Sequence, residues 1–181
     1  MLARSCSRID ANSSMQHSPP SAKTKAPAAA DDTEVTVTAG PSSWGGNSFL
    51  LIRDLHDRGL VAPIREAVLS GVPYLGVSAG ANVASPTMMT TNDMPIVYPP
   101  SFESFGAVPF QINPHYYPGR IQFMEDGVSY DHFGETRSQR ISEYQMQCET
   151  PVIGMWEGSF VHWDGSKGRL TGRATAFLPG A

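Results

Sequence analysis

A largely parallel sheet covered by helices, an α/β domain, follows from three features of this 181-residue chain. From residue 44 onward, helix-like and strand-like apolar spacings alternate. An apolar run over 72–77 leads directly into Gly76-Val77-Ser78-Ala79-Gly80, and a helix is expected just after it. The order helix, strand, sharp turn, helix is that of strands laid side by side with crossover helices on their faces. A 40% apolar composition is ordinary for a globular chain, and the length suffices for one domain with a core.

Residues 1–43 differ from the rest. They are rich in Ser, Ala, Pro and Thr and poor in aromatics, so they bury too little apolar surface to offset their ordering entropy. A disordered, low-complexity leader is expected there, with only Glu34–Thr38 (EVTVT) alternating like a short strand. Arg4, Arg8, His17, Lys23 and Lys25 face a single acid, Asp10, in the first part of that leader. Transit peptides share this bias. A cytoplasmic location is the primary expectation, and a mitochondrial one would follow if the leader were a transit peptide.

The folded unit is expected over 44–181. Gly45-Gly46 makes a tight turn, and Asn47 caps a helix whose apolar positions are Phe49, Leu50, Ile52 and Leu55. Gly59 stops it. A second helix spans about 60–69, with Pro63 tolerated in its first turn. Gly71 ends that helix and the strand over 72–77 begins. Pro86, Pro95, Pro99, Pro100, Pro109, Pro114 and Pro118 then make the middle loop-rich, since each forbids a helix interior. Phe110–Asn113 (FQIN) reads as a short buried strand ending near His115. A helix follows over 135–145, with Thr136 a cap and Ile141 and Tyr144 facing inward. Val152–Met155 is a strand, 159–163 and the Asp164-Gly165 turn a hairpin, and 170 onward the final strands.

The Gly-x-Ser-x-Gly run is the motif that carries chemistry. Its glycines let strand and helix approach closely, so the turn lifts the Ser78 hydroxyl above the sheet edge. The Ala79 amide is then placed to donate to a developing oxyanion. A second donor is expected from the exposed amides at Gly45-Gly46, ahead of a helix start. A serine nucleophile needs a base. Of five histidines, His17 lies in the leader, His56 on a charged helix face where it is expected to be solvated, and His162 within a strand. His115 ends an apolar strand, where open α/β sheets bind ligands, and is the choice for base. The acceptor that fixes a histidine tautomer is either Asp93 or Glu157, and the spacing does not separate them.

Thirteen basic against seventeen acidic residues give a net charge of −4, with no basic stripe, so nucleic acid is not an expected partner. No apolar run is long enough to span a bilayer, so no membrane role is expected. Cys6 and Cys148 lie far apart and carry no metal-ligand spacing, so no disulfide scaffold is expected and a reducing compartment fits best.

Four strings, GGNSFLLIRDLHDRGLVAPIREAVLSGVPYLGVSAGANVASPTMMTTNDMPIV, PFQINPHY, GETRSQRISEY and VIGMWEG, in this order resemble peptidase E, the α-aspartyl dipeptidase family. The resemblance covers about residues 45–181. It implies a three-layer, mostly parallel sheet of the class I glutamine amidotransferase-like kind. It also implies a serine peptidase that cleaves dipeptides with amino-terminal aspartate and works without metal or cofactor; the expected partner is a small peptide, and the chain is expected to be a monomer or homodimer. Carried over by position, it makes Ser78 the nucleophile, His115 the base and Glu157, ahead of Asp93, the third member. Gly46 and Ala79 become the oxyanion donors, and Arg137, Arg140 and Asn47 substrate-binding candidates.

Three departures accompany the resemblance. Family members carry further strands and helices ahead of the glycine turn, where this chain has its leader, so an N-terminally truncated domain is expected. Trp44 stands where members have a glycine, and Met89 where some have an arginine. Met89 motivates a second reading, a β-aspartyl peptidase like the related cyanophycinases. The leader motivates a third, an inactive paralogue or a fragment that needs a partner to complete its sheet. An α/β-hydrolase esterase is a further rival, with chain order Ser, acid, His.

Overall fold

In the computed structural model the described residues are the backbone of Val35–Thr36 and residues 45–180. Trp44 and the leader otherwise lie outside the described residues, as do the expectations that fall on them.

Strand β1 (Val35–Thr36) pairs in parallel with β2 (Tyr74–Leu75). Between them lie α1 (Ser48–Asp57) and α2 (Val61–Leu69). Asn47 caps α1 as expected, its Oδ1 accepting from the amides of Phe49 and Leu50. Leu51, Ile52 and Leu55 form the inward stripe of α1. They pack with Ala79 and Val83 of α3 (Ala79–Val83), and with Met88 and Phe105 from the loop that follows, as one core cluster. Burying one such aliphatic side chain contributes roughly 1.5–3 kcal/mol.

A second cluster lies around β3 (Gln111–Asn113), β6 (Val152–Met155) and β9 (Ala174–Phe177), which form one three-stranded sheet. Val152 of this sheet and Tyr116, just beyond β3, pack against Ile141 of α4 (Arg137–Gln145), with Tyr144, Trp156 and Phe177 around them. Thr136 caps α4 through a reciprocal pair with Gln139. Cys148, just past α4, is buried and is not a free thiol.

Two departures from the expected architecture concern strands. Among the described residues two pairings are parallel (β1 with β2, β3 with β6) and three antiparallel, and the three-stranded sheet of β3, β6 and β9 is mixed. Antiparallel partners need only a tight turn, and the second half of the chain supplies such turns. Within the region read as irregular, β4 (Gln122–Glu125) and β5 (Val128–Asp131) form a hairpin about Asp126-Gly127, both at positive φ. A second hairpin pairs β7 (Phe160–Trp163) with β8 (Gly168–Thr171). No described helix is long and apolar enough to cross a membrane.

Candidate active site

The chain turns sharply after β2. Ser78 takes φ 54 and ψ −114, a backbone state that costs an L residue about 1–3 kcal/mol. Close packing holds it there. A Cβ on Gly76 would stand 2.5 Å from the Gly80 carbonyl oxygen and 2.8 Å from the Ala81 nitrogen, so only glycine fits. The Tyr74 hydroxyl donates to that same Gly80 oxygen at 2.6 Å, and the Gly80 amide donates to Val77 at 2.9 Å. Burial pushes the Tyr74 phenol far above its ordinary value. As first residue of α3, Ala79 has no carbonyl within the helix for its N–H. The Gly45-Gly46 turn approaches from the other side. A Cβ at Gly45 would lie 3.2 Å from Ser78 Oγ, and Gly46 stands at φ 149.

The other two groups arrive by sheet register. Strands β3 and β6 are parallel neighbours, with Asn113 opposite Gly154. Both therefore end at one sheet edge, and residues just beyond their ends must meet. His115 follows β3 at φ 55, and Glu157 follows β6. His115 Nε2 lies 2.8 Å from Ser78 Oγ, and its Nδ1 lies 2.5 Å from Glu157 Oε1. An ionised carboxylate only accepts, so Nδ1 carries the proton and donates, leaving Nε2 as acceptor for the serine hydroxyl. The site is open: the side chains of His115 and Glu157 are 47% and 78% exposed. A serine hydroxyl held beside an oriented imidazole is the reacting pair of acyl transfer.

The remaining candidates fall apart into separate places. Asp93 does not meet His115. Its Oδ2 accepts from the Ser48 amide at 2.6 Å and the Ser48 hydroxyl at 2.7 Å, at the start of α1. Asn47 is spent on structure, since Nδ2 donates to Met94 at 2.9 Å while Oδ1 caps the helix. Its second Nδ2 hydrogen is engaged by neither bond. Arg137 stacks over the Tyr117 ring at 5.0 Å, and its Nε and Nη1 are buried without a hydrogen-bond partner. Arg140 is exposed and paired with Glu135 at 3.4 Å. His56, on the surface, meets the Glu103 carbonyl at 2.9 Å. His162 is exposed on β7. Among the described residues no cluster of three His, Cys, Asp or Glu is set to hold a metal ion.

Sequence reasoning missed a set of amides behind the site. Asn82 donates to Ile112 at 2.9 Å, Asn113 to Thr90 at 2.8 Å and to Asn92 at 3.0 Å, and Asn92 to Pro114 at 3.0 Å. The signal was polar side chains inside otherwise apolar or turn-forming strings, SAGAN, TTND and QINPH.

Residues 43–171 match the model of peptidase family S51. A Streptomyces coelicolor protein named "Peptidase E" is 46% identical over 134 residues, 74% of this chain and 52% of its own length. A Drosophila melanogaster protein named "Probable alpha-aspartyl dipeptidase" is 47% identical over 135 residues, covering 74% and 53%. The chain thus spans about half the length of these curated relatives. A crystal structure of a protein from Listeria monocytogenes EGD-e assigned to peptidase E shares the fold. Its TM-score is 0.54 at 23% identity, over 70% of this chain and 56% of that one.

Proposed function

The chain belongs to peptidase family S51, and from that premise we propose that it is a serine-type dipeptidase hydrolysing dipeptides with an amino-terminal aspartate. The observation that carries this reading is the continuous relay from Ser78 Oγ through His115 to Glu157, at 2.8 and 2.5 Å. Its chain order, Ser, His, Glu, is not that of the α/β-hydrolases. On the same reading, 44–181 is the catalytic domain, its fold is the three-layer class I glutamine amidotransferase-like one, and 1–43 is a leader.

In this mechanism Ser78 Oγ attacks the scissile carbonyl while its proton passes to His115 Nε2. Glu157 holds the imidazole in the right tautomer and stabilises its charged form. The oxyanion is met by the amides of Gly46 and Ala79. The proton on Nε2 then goes to the leaving amine as the C–N bond breaks. A water, deprotonated by the same nitrogen, attacks the acyl-enzyme and frees Ser78 and aspartate. On this reading Arg137 is the substrate's carboxylate clamp, because its Nε and Nη1 are buried without partners and such donors favour an accepting anion. Arg140 already has Glu135.

Hydrolysis of Asp-Leu by the purified chain, beside Asn-Leu and the β-aspartyl isomer, tests the reading. Turnover of Asp-Leu that disappears in Ser78→Ala supports it. Cleavage unchanged by that substitution removes Ser78 from the mechanism. Preference for the β-aspartyl linkage would favour the second reading, which the half-exposed Met89 motivates.

A further inference from the structure

We propose that Asn92 is a positioning residue for His115, its side-chain amide locking the peptide plane from which the imidazole is carried. The inference rests on reading Ser78, His115 and Glu157 as the reacting groups. Asn92 is half-buried in the loop after Thr90. Its Nδ2 donates to the Pro114 carbonyl at 3.0 Å, and its Oδ1 accepts from Asn113 Nδ2 at 3.0 Å. Asn113 is 3% exposed and donates that same amide to the Thr90 carbonyl at 2.8 Å. These partners orient Asn92: Pro114 needs a donor and Asn113 an acceptor.

The consequence lies in the backbone of His115. It stands at φ 55, a region that disfavours an L side chain by roughly 1–2 kcal/mol. The plane joining Pro114 to His115 defines that φ. Relaxing it would turn the plane, swing the Pro114 oxygen away from Asn92 and carry the ring off both Ser78 and Glu157. The plane on the far side is already held, because the Tyr116 amide donates to the Met155 carbonyl at 2.8 Å. Asn92 supplies the matching hold on the near side. It touches no reacting atom and acts through His115.

Asn92→Asp keeps the size and the acceptor facing Asn113 but sets an oxygen against the Pro114 oxygen. Asn92→Ala removes both bonds. In the full chain, each is compared with wild type by kcat and KM on Asp-Leu, by thermal melting, and by the low-field proton resonance of His115 Nδ1–H, assigned through its loss in His115→Gln. The expected result is a fall in kcat of about 10- to 100-fold, the size of effect a small misplacement of a reacting group produces. KM should stay within about twofold, and the low-field resonance should move upfield or broaden in folded protein. Wild-type kcat with an unmoved resonance in Asn92→Asp would overturn the proposal. So would a kcat loss that only follows the folded fraction, or failure of both variants to fold, since either makes Asn92 a stability residue. If the wild-type chain does not cleave Asp-Leu, the peptidase reading fails, while the resonance still decides whether Asn92 holds His115.

Discussion

At Ser78, the glycines on either side matter as much as the hydroxyl. Gly45→Ala would bring a methyl to 3.1 Å from Ser78 Cβ and 3.2 Å from its Oγ, tighter than an ordinary contact, so the serine side chain must give by a few tenths of an ångström. It is expected to leave the melt nearly unchanged while lowering kcat, and equal kcat in the variant would mean the turn does not face the reacting centre. The two acids should separate in the same way. Glu157→Gln removes the acceptor that fixes the tautomer, and a fall in kcat of roughly 10²–10⁴ with little change in stability is expected. Asp93→Asn weakens two bonds at the start of α1, so its first effect should be about 1–2 kcal/mol of stability. A reversal of these two outcomes would make Asp93 the third member. Ser78 and His115 could be read from the sequence because a nucleophile elbow and a strand-ending histidine are local patterns. The choice between Asp93 and Glu157 was not legible, because it depends on β3 and β6 lying in register, a contact between residues far apart in the chain.

Elements were legible where a cap or a period marked them. Asn47 and Thr136 announced α1 and α4, and Ile141 faced inward as the spacing required. The hairpin of β4 and β5 was passed over although Asp126-Gly127 is a hairpin turn signal. Prolines on one side of it, and the absence of any buried face, hid the pattern. Strand β2 is shorter than the apolar run over 72–77, because the chain bends into the elbow as soon as Gly76 is reached. Its Tyr74 ties strand stability to pH. Burial raises the phenol above its ordinary value of 10.0, so the folded state prefers the neutral form. That contribution is complete below about pH 10 and is lost as pH rises beyond it, because the unfolded chain ionises first. Denaturant unfolding from about pH 9 to about pH 11 should show stability falling, and Tyr74→Phe should flatten that fall. An equal slope in both proteins would place the alkaline sensitivity elsewhere.

For the whole molecule, the question is which apolar surface forms the core. Phe105 and Ile52 are fully buried, while Leu75 of β2 and Val77 just past it are 44% and 42% exposed. Strands of parallel sheets are ordinarily covered on both faces, and this chain spans about half the length of its curated relatives. Phe105→Ala should cost about 3–5 kcal/mol. Leu75→Thr and Val77→Thr should each cost no more than about 0.5 kcal/mol. A large loss from either threonine variant would mean that this face is covered in solution. The sequence could not indicate this, since an apolar strand reads alike whether one face or two are packed.

The central claim is that the hydroxyl at position 78 is activated by His115 and Glu157, and reaction with a fluorophosphonate followed by intact mass and peptide mapping tests it most directly. The account expects a single adduct on Ser78, absent in Ser78→Ala and formed far more slowly in His115→Gln. An adduct at another serine, or labelling of Ser78 at the same rate without the imidazole, would contradict it.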